Sequence, residues 1–83
     1  MPSNVFLPYI IRLSESGAHL ESIKGMIERN EDPYSILVQL TAVKSAINST
    51  EKEILKNYID QCVDAGDEES IAEMKKAISS FIK

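Results

Sequence analysis

Three observations predict an all-α protein whose three helices include a long central one. Apolar residues Ile36, Leu40, Val43, Ile47 and Ile54, with Thr50 between, recur at alternating steps of four and three. That spacing is one stripe of an amphipathic helix kept up over several turns. Helix punctuation sits where the stripe begins and ends, as Asp32-Pro33 before it and Asp64-Ala65-Gly66-Asp67 after it. Aspartate caps a helix start, proline suits the first helical position where no N–H is needed, and glycine takes the left-handed conformation past a helix end. Finally, no segment alternates apolar and polar residues as a half-buried strand does, and no internal repeat or low-complexity stretch appears.

The first helix is expected over about 7–29, with Tyr9, Leu13, Leu20, Ile23 and Ile27 on one face. Pro8 is tolerable there only because it falls near the start. Gly17 weakens the middle by about 1 kcal/mol relative to alanine. Asn30-Glu31 makes the turn, and the second helix is expected over 33–63. Asn48-Ser49-Thr50 is a soft spot, and Thr50-x-x-Glu53 matches a capping box, so local chemistry allows a break. The stripe runs through it, which favours one long helix. The third helix, about 67–82, turns Ile71, Met74, Ile78 and Phe81 inward.

Eighty-three residues form one domain, 1–83. A chain this short buries a limited share of its surface and is marginal alone. Cys62 is the single cysteine, so no disulfide is available, and no Cys/His cluster of metal type is present. Packing the apolar stripe against another copy is the remaining source of core, and oligomerisation is expected. A lone cysteine suits a reducing cytoplasm. No run of about eighteen apolar residues exists to span a membrane. The opening MPSNVFLPYIIRL is broken by Pro8 and has no preceding basic region, so it is not read as a signal peptide.

Nine basic residues stand against thirteen acidic ones, net −4. Residues 1–30 are neutral, with Arg12, Lys24 and Arg29 against Glu15, Glu21 and Glu28, while 31–63 and 64–83 each hold three lysines against five acids. That lacks the basic footprint of a typical DNA-binding domain, though an oligomer can still gather a local basic face. No Ser/His/Asp constellation, glycine-rich phosphate loop or HExxH motif is present, so no enzyme is expected.

The run QLTAVKSAI, Gln39 to Ile47, resembles the QISAVRAAL-type signature of the CsoR/RcnR/FrmR family of copper-, nickel/cobalt- and formaldehyde-responsive repressors. RLSESGAHLESIKGMIE, Arg12 to Glu28, resembles that family's RLRRIEGQVRGIxRMIE pattern. YIDQCV ends the long helix where the family has HxxxC, and EMKKAISSFIK is similar to its last helix. The resemblance covers about residues 12–83. It implies three helices, an antiparallel dimer built on the long helix, and a tetramer made as a dimer of dimers. It also implies DNA binding without a helix-turn-helix, through basic residues of the first two helices, with release by an effector bound between subunits.

Residue by residue, the resemblance puts the effector site at Pro33, Tyr58 and Cys62, where the metal sensors carry cysteine, histidine and cysteine. Copper(I) and zinc want thiolates and imidazoles, so Pro33 supplies nothing and a phenol is a poor substitute. No metal cofactor is therefore expected, Cys62 being the surviving ligand position. Formaldehyde sensing pairs an amino-terminal proline with the first cysteine; Pro2 is present, but that cysteine is Pro33. Sensing by persulfide or disulfide needs both thiols. On the DNA side Arg12 and Lys44 match basic positions, whereas Ser14 and Glu15 replace basic residues and Ala18-His19 replaces the family's Gly-Gln. Each lost phosphate contact lowers affinity and its salt dependence.

Several residues carry a plainer reading beside the functional one. Cys62 is either a reactive thiol or an ordinary buried cysteine on an apolar stripe. His19 reads as a hydrogen-bonding or surface histidine before a ligand or a pH sensor. Tyr34 and Tyr58 read as boundary aromatics before pocket walls, and Lys52 and Lys56, flanked by Glu51 and Glu53, as a solvated mixed face. The expected function is a cytoplasmic, homo-oligomeric DNA-binding repressor with most of the metal set replaced. The alternative is a helical interaction protein that has kept the scaffold, has lost operator recognition and sensing, and binds another protein or a related subunit.

Overall fold

The computed structural model describes residues 7–82. It contains α1 (Leu7–Glu28), α2 (Pro33–Ala65) and α3 (Glu68–Phe81), and no strand among the described residues. α2 is continuous through Asn48-Ser49-Thr50 and runs two residues past the expected Val63. The helices fall into two compact units that meet between Thr50 and Glu51, inside α2.

In the first unit α1 stops because Asn30 adopts a left-handed conformation, φ 55°. The Asn30 N–H donates to the Ile27 carbonyl (3.1 Å) and the Glu31 N–H to that of Met26 (3.0 Å). Those two bonds satisfy the last carbonyls of α1 in a Schellman closure. The Arg29 guanidinium turns to the Glu31 carboxylate at 2.7 Å. It also lies over Gly25, where a Cβ would come within 3.0 Å of its Nη1. Asp32 then caps α2, its Oδ2 accepting from the Ser35 N–H (3.0 Å) and the Ser35 hydroxyl (3.2 Å). So short a connection makes the two helices antiparallel neighbours.

His19 ties them together, its Nε2 lying 2.6 Å from the Gln39 Oε1. Around this bond the buried positions are Tyr9, Ser16 and Ile23 on α1, seven residues apart, and Val43 and Thr50 on α2. Seven residues return to nearly the same helix face. The buried Thr50 hydroxyl donates to the Ala46 carbonyl at 3.0 Å, so burial leaves it no unmet bond.

Leu13, Leu20 and Ile27, expected on the inward face of α1, are 44–54% exposed, and Leu40, Ile47 and Ile54 of the α2 stripe are 38–43% exposed. Two helices in contact cover only a narrow line on each other. The apolar stripes read from sequence are wider than that line, and their flanks stay uncovered within one chain.

In the second unit Gly66, at φ 69°, ends α2, and its N–H donates to the Cys62 carbonyl (3.0 Å). Asp67 caps α3 by accepting from the Ser70 N–H (3.1 Å) and the Ser70 hydroxyl (2.7 Å). Leu55, Cys62 and Ala77 are buried, and Ile71, Met74 and Ile78 half-buried. Phe81, expected inward, is 60% exposed. It is the last helical residue, one turn past Ala77, and Ile82 beyond it is already extended.

The buried line of α2 therefore steps by seven from Val43 to Thr50 and from Leu55 to Cys62, but by five from Thr50 to Leu55.

Candidate functional site

The three positions where the resemblance places an effector fall in different settings. Pro33 is exposed at the first helical position of α2, in the first unit. It offers neither an N–H nor a donor side chain. Tyr58 and Cys62 belong to the second unit, one turn apart on the same face of α2. Cys62 is a free thiol, 6% exposed. Tyr58 is half-buried.

Partial burial, a hydrogen bond from the phenol to the Cys62 sulfur, and the negative charge of Cys62 and Glu73 hold Tyr58 above its ordinary pKa of 10.0. Each of these favours the neutral phenol, because each makes a phenolate harder to form there. The cluster therefore presents a protonated O–H against a buried sulfur, with a carboxylate from α3 close by. Among the described residues no three His, Cys, Asp or Glu side chains converge to hold a metal ion. Glu73 was not singled out from the sequence. The signal that could have found it is its helical spacing from Ser70 and Ala77, which line the covered side of α3.

The DNA-contact candidates both lie in the first unit. Arg12 is exposed and already engaged by a neighbouring group. Lys44 is exposed and follows the buried Val43. Ser14 and Glu15, at the family's basic positions, are exposed too. The side of α1 away from Tyr9, Ser16 and Ile23 runs Leu7, Ile10, Ile11, Ser14, Ala18, all exposed, so it opens with apolar residues and not with cations. Lys24, further along, sits 3.8 Å from Glu21.

Tyr34 is 74% exposed. Lys52 and Lys56 are exposed, as a solvated mixed face requires. His19 is the hydrogen-bonding histidine the plainer reading expected, and its partner Gln39, unforeseen in that role, belongs to the QLTAVKSAI run itself.

The three helices, in this order and at these lengths, are those of the repressor class that the sequence resembles. The family described as "Metal-sensitive transcriptional repressor" matches residues 8–80, and the chain belongs to that family. Among solved structures, the nickel-responsive transcriptional regulator InrS matches with a TM-score of 0.79 and 27% identity, over 88% of each chain. No curated protein sequence matches. The family is one of transcriptional repressors, not of enzymes. No helix among the described residues is long and apolar enough to cross a membrane.

Proposed function

We propose that this protein is a single-domain, cytoplasmic, self-associating DNA-binding repressor whose effector is not bound by an ordinary soft-metal ligand set. The observation that carries this reading is the make-up of the effector positions inside a family-typical scaffold. Pro33 has no donor, Tyr58 holds its proton, and Cys62 alone keeps a thiol. Those residues do not fit copper(I), nickel or zinc, which need several thiolates or imidazoles at fixed geometry.

Self-association is supported by the two seams left uncovered, Leu13, Leu20 and Ile27 on α1 and Leu40, Ile47 and Ile54 on α2, each with seven-residue spacing. Burying such stripes against a second copy supplies the core that one small chain lacks. Arg12 and Lys44 are the side chains for operator phosphates. Light scattering should give a dimer or tetramer, and a stable monomer would count against the assembly.

Fluorescence anisotropy with the DNA immediately upstream of its own coding sequence tests the function. Micromolar or tighter binding whose log K falls steeply with log salt is expected. Absence of binding at low salt would reject it. The effector half has its own test. The protein purified in the presence of nickel, copper or zinc should retain no stoichiometric metal, while Pro33→Cys/Tyr58→His should gain it. Tight binding by the natural chain, lost in Cys62→Ala, would overturn the non-metal reading.

A second reading is favoured by the exposed outward side of α1, with Leu7, Ile10, Ile11 and Ser14 and little positive charge, and by Glu15 on its flank. In it the chain is an interaction protein that keeps the scaffold, does not bind an operator, and pairs with another protein or a related subunit. Salt-insensitive or absent DNA binding together with a well-defined oligomer is its signature.

A further inference from the structure

We infer that α2 carries a built-in opening point at Asn48–Thr50, where Thr50 can exchange its bond to Ala46 for the role of N-cap to the residues that follow. Four observations meet at this place. The boundary between the two compact units falls between Thr50 and Glu51, although the helix is unbroken there. The spacing of the buried residues of α2 breaks there, five from Thr50 to Leu55 where it is seven on either side. Asn48, Ser49 and Thr50 are three successive residues of low helix propensity, because their side chains compete for backbone groups. The Thr50 hydroxyl donates to the Ala46 carbonyl at 3.0 Å, a back-bond that slightly destabilises and bends helices.

What makes this a device and not just a weak turn is the chemistry waiting on the other side. If α2 opens, the N–H groups of Glu51, Lys52 and Glu53 lose their acceptors one turn back. Thr50 is then the capping residue, its hydroxyl oxygen accepting from the Glu53 N–H. The Glu53 carboxylate accepts in turn from the Thr50 N–H. The same hydroxyl thus serves the closed helix as a donor and the open one as an acceptor. Along α2 the opening point lies after the segment that carries Lys44 and before the segment that carries Tyr58 and Cys62. A ligand on either segment that prefers one form would shift the balance. The opening itself does not depend on what the protein binds.

Residue-resolved amide hydrogen exchange on the full chain, without DNA or metal, tests it. The amides of Glu51 and Lys52 have no partner in the capped open form and should exchange at least about tenfold faster than those at 41–46 and 56–61. Thr50→Val keeps the shape and removes the hydroxyl, so exchange at Glu51 and Lys52 should slow. Should that buried change unfold the chain, Asn48→Ala/Ser49→Ala alters only exposed positions and should slow the same two amides at least about threefold by raising helix propensity. Equal protection along α2 in the natural chain overturns the inference. So do faster exchange in Thr50→Val and unchanged rates in the alanine pair.

Discussion

The first unit and the second solve the same packing problem with different materials. The hairpin of α1 and the start of α2 buries Tyr9, Ser16, Ile23, Val43 and Thr50, ties its helices with His19 and Gln39, and closes with a hydrogen-bonded turn. Among the described residues the second unit buries only Leu55, Cys62 and Ala77, and one of those three is also a proposed effector position. In the first unit, scaffold and candidate site are separate side chains, since Arg12, Pro33 and Lys44 are all exposed. In the second they coincide at Cys62. A substitution that empties the second site therefore also perturbs its core, while the exposed DNA-contact candidates can be changed with little structural cost.

The largest expected effect lies in the hairpin. Ile23→Ala deletes a side chain that is 2% exposed and should cost about 2–5 kcal/mol in denaturant unfolding, measured at fixed protein concentration because the proposed self-association would add to stability. Cys62→Ala removes one small group from a thinner core and should cost nearer 1 kcal/mol. A larger loss at Cys62 than at Ile23 would reverse the comparison. Next comes the turn, where Asn30→Ala forces a β-carbon residue without a local polar side chain into φ 55° and should cost roughly 1–2 kcal/mol. The His19–Gln39 tie should show a coupling of about 0.5–1.5 kcal/mol in a double-mutant cycle with His19→Ala and Gln39→Ala. Zero coupling would leave the hairpin held by apolar contact and its turn alone.

The same contrast explains what was legible in the sequence. All three helices were, and their ends to within two residues, because Pro33, Gly66 and the Asp-x-x-Ser starts at Asp32 and Asp67 act locally, through caps that need no distant partner. Inward residues were legible only in part. Tyr9, Ile23 and Val43 lie on the line where two helices touch, but Leu13, Leu40 and Phe81 carry the same apolar signal and stay exposed in one chain. Hydrophobic spacing reports that a face is to be covered and not which neighbour covers it. At the site, the one-turn pairing of Tyr58 with Cys62 follows from numbering alone. Glu73 does not, since which residue of α3 faces α2 is set by packing between helices.

A smaller and more local effect tests the Tyr58 cluster. Its phenol should ionise above pH 10.0, followed by phenolate absorbance after subtraction of a Tyr58→Phe spectrum. Cys62→Ala removes a hydrogen-bond partner and a negative charge and should bring the midpoint back toward the ordinary value. An unchanged midpoint would leave partial burial and the Glu73 charge as the causes. Because the folded value is raised, the neutral phenol's contribution is whole below pH 10.0 and fades as pH rises through the folded value.

The smallest expected effect lies at the start of α3. The two Ser70 hydrogen bonds, hydroxyl and backbone, hold the Asp67 carboxyl below its ordinary value of 3.8, against a weaker opposing effect of burial. The unfolded chain therefore takes up this proton at a higher pH than the folded one. The cap's contribution is complete above pH 3.8 and is lost as pH falls through the folded value. Acid should fray α3 from its first turn, read as faster exchange of the Ser70 amide relative to amides in the middle of α3. Asp67→Asn keeps a side-chain acceptor that cannot titrate, so this part of the acid dependence should vanish while the helix start remains. If Ser70 exchange follows the same acid profile in that variant, the carboxyl is not what ties α3 to pH, and the fraying belongs to the thinner core beneath it.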